Sequence, residues 1–367
     1  MPVTTPASDF LDSVARLRQD PQAVARASAK AGDRVVGYVG DDIPVALILA
    51  AGALPVRLRG VPGAGTERVD AFVESSFSPA LRAVAAQWLE GSLDHLDAVI
   101  FTRGDDSAQR LYYYLCELQR RGICRGPRPL LFDVASLERQ SSSEHTLGST
   151  RVLATDLGTA GNRLEPALLR VARRTELLNS VRTRRALPSP LRSSVAWTVE
   201  YAAGCDWRDE FDERAQRWLN EAAVLDTPAR VLLAGDPVPD EQLHLAVESA
   251  GGSIVLELRG ASPGSPFGRK DSLDAIADEF RRRESPAMAM RNNPNWLADC
   301  AREQRADAVI VWASEEDEAL PWEIPRQMQS LRAAGVPALL LTRQSVQLSA
   351  QATEQVMQFV SKLRGSR

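Results

Sequence analysis

Four carboxylates stand in two adjacent pairs, Asp105-Asp106 and Glu315-Glu316, each separated by two residues from a short apolar run, "DAVIFT" for the first and "DAVIVW" for the second. Paired acids can pass protons as general acid and base, shift each other's pKa, or hold a hard divalent cation. The same residues can also serve a helix, whose N-terminus favours negative charge. That capping role falls to Asp106 before Asp105, which lies further from the helical pattern that follows. The glycines of "GVPGAG", Gly63 and Gly65 among them, offer backbone to a ligand or punctuate a turn. They form no phosphate fingerprint, and neither does Gly37-x-x-Gly40.

A third feature is basic. The stretch from Leu168 to Ser194 carries Arg170, Arg173, Arg174, Arg182, Arg184, Arg185 and Arg192 against one acid, Glu176. Guanidinium forks suit phosphate, so Arg182, Arg184 and Arg185 are candidate contacts for a phosphate-bearing ligand, while a charge run also makes a solvated helix face. Cysteine chemistry has little to build on. Cys116, Cys124, Cys205 and Cys300 form no C-x-x-C, and His95, His145 and His244 are as scattered, so neither a disulfide framework nor a zinc site is expected. Cys116 falls inside a helical pattern, where a small buried thiol is the plain reading.

The elements that must position these residues read as alternating strands and helices, hence parallel sheets built from βαβ units. Strands are predicted at Arg34–Val39, Pro55–Leu58, Asp97–Thr102 and Pro129–Phe132, and again at Arg230–Ala234, Ser253–Leu258, Asp307–Trp312 and Pro337–Thr342. The two sets look like copies: "RVVGYVGDD" answers to "RVLLAGDPV", and "LDAVIFTRGDD" to "ADAVIVWASEED". Glycine just past a helix, at Gly52 and Gly251, supplies the left-handed stop before the second strand of each set. The fold class is therefore α/β, with two similar Rossmann-like domains. We place a helical N-terminal segment at 1–32, the first domain at 33–160, a helical middle segment at 161–228 and the second domain at 229–367. Ligands of such sheets bind beyond the carboxyl ends of the strands, which puts both acid pairs on the edge where sites are built, expected to face a cleft between the domains.

A net charge of −4 gives no footprint for nucleic acid, and no uncharged apolar stretch approaches the length of a membrane span. The N-terminal residues carry acids and lack the apolar core of a secretory signal, so a cytoplasmic location is expected.

Three stretches, "VGYVGDDIPVALILAAGALPVRLRG", "SSFSPALRAVAAQWLEGSLDHLDAVIFTRGDDSAQRLYYYL" and "RADAVIVWASEEDEALPWEIPRQMQSLRAAGVPALLL", together resemble the 2-hydroxyacyl-CoA dehydratase family, which includes the benzoyl-CoA reductase subunits. The likeness runs from about residue 34 to the C-terminus and includes the helix opening Asp106, Ser107, Arg110, Leu111, Tyr112. It implies two α/β domains, a heterodimer, and a four-iron, four-sulfur cluster between the domains. It also implies dehydration of a 2-hydroxyacyl-CoA through a ketyl radical, with an electron from a separate ATP-driven activator. The motif match puts the cluster cysteines where this chain has Ser75 and Ser76, Asp105, and the Glu315–Asp317 stretch. All three are missing. Hydroxyls and carboxylates are hard ligands, whereas iron–sulfur clusters hang from soft thiolates.

No cofactor or metal is therefore expected, with Ser76, Asp105 and Glu315 or their neighbours occupying the cluster-ligand positions, and radical catalysis by this chain alone is not expected. The expected function is a dehydratase-family subunit that binds an acyl-CoA or a related ligand, with Ser75, Ser76, Gly63, Gly65 and the three arginines as candidate contacts. Two alternatives stay open. One is a non-catalytic partner of a cluster-bearing homologue, in a hetero- or homodimer, anchored by aromatics such as Trp296, Trp312 and Trp322. The other is a non-redox enzyme using Asp105, Asp106, Glu315 or Glu316 with a divalent cation.

Overall fold

A computed structural model describes residues 6–60, 67–135, 137–226, 228–258, 273–283 and 286–365. Gly63 and Gly65 lie outside the described residues. The helices α1 (Pro6–Gln19) and α2 (Ala23–Lys30) lead into β1 (Arg34–Val39), α3 (Val45–Ala50), β2 (Ala53–Arg57), α4 (Pro79–Leu89), β3 (Ala98–Thr102), α5 (Asp106–Arg120) and β4 (Arg128–Phe132). Four helices follow: α6 (Gln140–Leu157), α7 (Leu164–Ala186), α8 (Ser193–Ala203) and α9 (Asp209–Glu221). The second series is β5 (Ala229–Gly235), α10 (Gln242–Ser249), β6 (Gly252–Leu258), α11 (Leu273–Arg281), α12 (Pro286–Asn292), α13 (Trp296–Glu303), β7 (Ala308–Ser314), α14 (Leu320–Ala333), β8 (Ala338–Gln344) and α15 (Ala350–Gly365).

Two all-parallel sheets result, ordered β2-β1-β3-β4 and β6-β5-β7-β8, a mixed α/β architecture of two Rossmann-like sheets. All of β3 is buried, and β1 and β7 are buried but for one terminal residue each, as strands covered by helices on both faces must be. That double burial is why unbroken apolar runs located the strands. Gly52 (φ 73°) and Gly251 (φ 81°) take the left-handed conformation their place after α3 and α10 requires. In each sheet the order reverses between the first and third strands of its set, and sheets of this kind take ligands beside the ends of those strands, here β1 and β3, or β5 and β7.

By its contacts the chain forms two units, each drawing on three stretches of sequence. Unit 1 comprises Met1–Leu177, Tyr201–Gln216 and Pro263–Arg283; unit 2 comprises Leu178–Glu200, Arg217–Ser262 and Glu284–Arg367. The core of unit 1 lies on both faces of its sheet. Trp88, Phe101, Leu111 and Leu115 fill one cluster, and Ile48, Ile100, Phe132 and Phe280 another. In unit 2, Leu232, Val309, Val311 and Leu331 pack with Leu297 and Met290.

The arginine-rich helix α7 departs from expectation, because a purely solvated face does not describe it. Arg174 and Arg185 are each only 2% exposed. Within unit 1, Arg174 pairs with Asp212 and donates to the carbonyls of Ala203 and Asp206. Within unit 2, Arg185 pairs with Glu257 at 2.6 Å and lies 3.8 Å from Glu200, both carboxylates buried. Such partners come from strands and helices distant in sequence, so local composition reads only the surplus of charge. Trp312 is a second correction. It is 2% exposed within β7 and belongs to the core; Trp296 is half-buried, and Trp322 on α14 is 81% exposed. Cys116 is likewise half-buried rather than enclosed.

Candidate functional site

The strand ends of unit 1 collect polar groups. β1 runs out into Gly40, whose φ of 97° turns the chain and whose missing side chain leaves room for Thr102: a Cβ there would sit 2.5 Å from the Thr102 methyl. Asp41 and Asp42 follow. Asp42 leans on the loop after β3, close enough that a Cβ on Gly104 would lie 3.0 Å from its Oδ2, while its Oδ1 is buried with no hydrogen-bond donor among the described residues. Burial raises the Asp42 carboxyl above its ordinary value, with Arg283 pulling it back down.

Asp105 and Asp106 stand in the next loop. The cap of α5 is Asp105: its Oδ1 accepts from the Ala108 N–H at 2.8 Å. Asp106 is the first residue inside the helix and pairs with Arg110 at 2.9 Å, its side chain 80% exposed. The expectation that favoured Asp106 as the cap is therefore reversed, because α5 begins one residue earlier than its apolar pattern suggests. Ser75 and Ser76 are exposed, and the Ser76 hydroxyl is within 3.4 Å of Arg110 Nη1, which donates to it.

Unit 2 repeats the arrangement with different residues. Gly235 (φ 106°) ends β5 with no space for a side chain, since a Cβ would lie 2.0 Å from the Trp312 carbonyl oxygen. Asp236 then accepts from both the backbone N–H and the hydroxyl of Ser314, each at 2.7 Å. Its carboxyl is pushed up to about 7, first by burial and then by a hydrogen bond with Asp317, the Ser314 donors opposing the rise. Asp317 in turn accepts from the N–H groups of Ala319 and Leu320 at the start of α14 (2.7 and 2.8 Å). Asp317, rather than Glu315, thus does for α14 what Asp105 does for α5. Glu315 is exposed and pairs with Arg343 at 3.0 Å; Glu316 is half-buried. A carboxyl group that titrates near neutral pH, as Asp236 does, can give or accept a proton without a cofactor.

The candidate arginines are engaged inside unit 2. Arg182 pairs with Glu200 at 3.0 Å, Arg184 donates to the Leu219 carbonyl at 3.2 Å, and Arg185 holds the buried pair described above. None of Asp41, Asp42 and Asp236 was singled out from the sequence as a site residue. A signal was present: "GDD" and "GDP" each follow the first strand of their set, which is where the order of the sheet turns.

The donors available for an iron–sulfur cluster do not fit one. Ser76, Asp105 and Glu315 bring oxygen, and each already meets a protein partner. Burial raises all four thiols above their ordinary value, Cys205 and Cys300 to about 11. Among the described residues no group of three or more His, Cys, Asp or Glu side chains is arranged to hold a metal ion.

Comparison with known proteins gives one finding. The family model for the 2-hydroxyglutaryl-CoA dehydratase D-component matches residues 42–363. No curated protein matches the chain.

Proposed function

From the premise that the chain belongs to the 2-hydroxyglutaryl-CoA dehydratase D-component family, we propose that it is a component which binds an acyl-CoA or a related ligand and carries no iron–sulfur cluster of its own. The observation that supports this reading most is the employment of Ser76, Asp105 and Glu315, which hydrogen-bond or pair with Arg110, the Ala108 N–H and Arg343. Exchanging any of them for a metal would undo a local contact, and the oxygens are the wrong donors. With no store for an electron, the chemistry left to this chain is binding and proton transfer. The strand-end acids Asp42 and Asp236, with raised pKa values, are the groups for that work.

A second reading, a non-catalytic partner of a cluster-bearing homologue, draws support from Trp322, a large aromatic left 81% exposed on α14. One pair of measurements separates these readings. Protein purified without oxygen is expected to contain iron and acid-labile sulfide far below one cluster per chain, and titration with acyl-CoA thioesters is expected to release heat. A stoichiometric cluster overturns the first half of the proposal. A flat titration across a panel of thioesters removes the second half and leaves the partner role.

A further inference from the structure

Arg57 and Arg59 alternate along the end of β2 and its extension, where the Arg57 N–H donates to the Gly204 carbonyl and the Leu58 N–H to that of Tyr38 (both 2.8 Å). Alternate residues of an extended chain share a face. Gly60 pins the chain just beyond: a Cβ there would stand 2.2 Å from the Ala80 carbonyl oxygen. Among the described residues the two guanidinium groups meet a single carboxylate between them, Asp41, whose Oδ1 lies 2.6 Å from Arg57 Nη1. Burial disfavours the charge on Arg57, and Asp41, foremost among its neighbours, helps raise its pKa above the ordinary value.

Arg59 gains less from Asp41, whose pull is outweighed by burial and by Arg57. No carboxylate pairs with it among the described residues, and its Nε is buried without an acceptor. Its guanidinium stacks over the Tyr201 ring, 4.5 Å from the centroid. Burial and Arg57 lower its pKa to about 10, which still leaves it charged at neutral pH. The neighbouring groups that could have supplied a negative charge are neutral: burial raises the Tyr38 hydroxyl, and pushes Tyr201 to about 12 and the Cys205 thiol to about 11. The nearby Asp206 is bound to Arg208 at 2.7 Å. Unit 2 shows the contrast. Opposite Arg57, in "LELRG", it has the acid Glu257, which pairs with Arg185. A half-buried cation with no counter-charge is costly to keep unless something supplies one.

We propose that Arg59, with Arg57 beside it and Tyr201 beneath it, forms an oxyanion site in unit 1 that takes a phosphate or pyrophosphate group. Two forked guanidinium groups offer donors to a tetrahedral oxyanion from more than one side, which a planar carboxylate would use less fully. The proposal concerns the anion and does not depend on the acyl-CoA reading.

Thermal unfolding of the full chain tests it, with phosphate, pyrophosphate, glutarate and chloride compared at matched ionic strength. Phosphate and pyrophosphate are expected to raise the melting temperature of the wild type beyond chloride and glutarate, and Arg59→Gln is expected to lose that rise. In the absence of phosphate, Arg59→Gln is expected to melt no lower than the wild type, since it removes an uncompensated charge; an arginine serving only the fold would leave a less stable protein. Asp41→Asn, which frees Arg57, is expected to tighten phosphate binding several-fold and carries the test if Arg59→Gln does not fold. Absence of a phosphate-specific rise in the wild type, a rise retained in Arg59→Gln, or glutarate acting as well as phosphate each overturns the proposal. Phosphate binding without coenzyme A binding leaves this site standing and removes the acyl-CoA reading; thioester binding unaffected by Arg59→Gln, with no phosphate effect, does the reverse.

Discussion

At the scale of single residues, position relative to a helix start decides what an acid does. Asp105 satisfies an N–H of the first turn of α5, whereas Asp106, one residue on, is a surface partner of Arg110. Asp105→Ala is expected to destabilise the protein by about 1 kcal/mol, as loss of a cap does. Asp106→Ala should cost about 0.5 kcal/mol or less, as loss of an exposed pair does. Urea unfolding of both variants checks this, and equal costs would contradict the assignment of the cap. Asp236 obeys a different rule. Its carboxyl, ordinarily near 3.8, keeps its proton to about 7 in the folded protein, so folding takes up a proton between those values. This contribution to stability is complete below about pH 4 and is lost as the pH rises through 7. Asp236→Asn keeps an oxygen for the Ser314 donors and cannot ionise. It should flatten the dependence and melt on the order of 2–4 °C higher than the wild type at pH 8. Parallel pH–melting curves for the two proteins would refute the assignment.

At the scale of elements, strands were legible and the destinations of charges were not. Each of the eight strands lies within two residues of its apolar run, β2 at Ala53–Arg57 against an expected Pro55–Leu58 being the widest miss at its start. A strand covered on both sides announces itself in composition, as β3 does with Ala98–Thr102 wholly buried. Trp312, by the same logic, belongs to such a strand and not to a surface. The fate of α7 could not be read that way, because the acids that receive Arg174 and Arg185 come from α9 and β6, and nothing in a list of seven arginines reveals them. The candidate site was half legible. Its edge follows from the parallel sheet, but the doubled acids stand out in composition whereas Asp236 takes its character from burial and from Asp317. The buried pair also yields a prediction. Arg185→Met leaves Glu257 enclosed without its cation and should cost about 3–5 kcal/mol, while adding Glu257→Leu should recover much of that loss. Denaturant unfolding of the single and double variants measures the recovery; a double variant no better than the single one would show that the pair does not act as a unit.

At the scale of the whole molecule, the family match and the paired sheets agree. A model covering residues 42–363 describes the same span that holds β2 to β8 and most of α15. Ser76, Asp105 and Glu315 bring oxygen donors, each already engaged by a neighbour. The measurement of iron and sulfide proposed above belongs to this scale, since it asks what the complete chain retains of the dehydratase chemistry.

The interleaving of the two units has a consequence for biosynthesis. Unit 1 includes Pro263–Arg283, and its second core cluster relies on Ile276 and Phe280 from α11. A ribosome releasing this polypeptide from its N-terminus will have emitted β5 and β6 before unit 1 receives its last helix. Neither half can mature first as a finished body in the usual vectorial order. A nascent chain halted after Leu258 should therefore remain protease-sensitive in both halves, although all four strands of the first sheet would already have emerged.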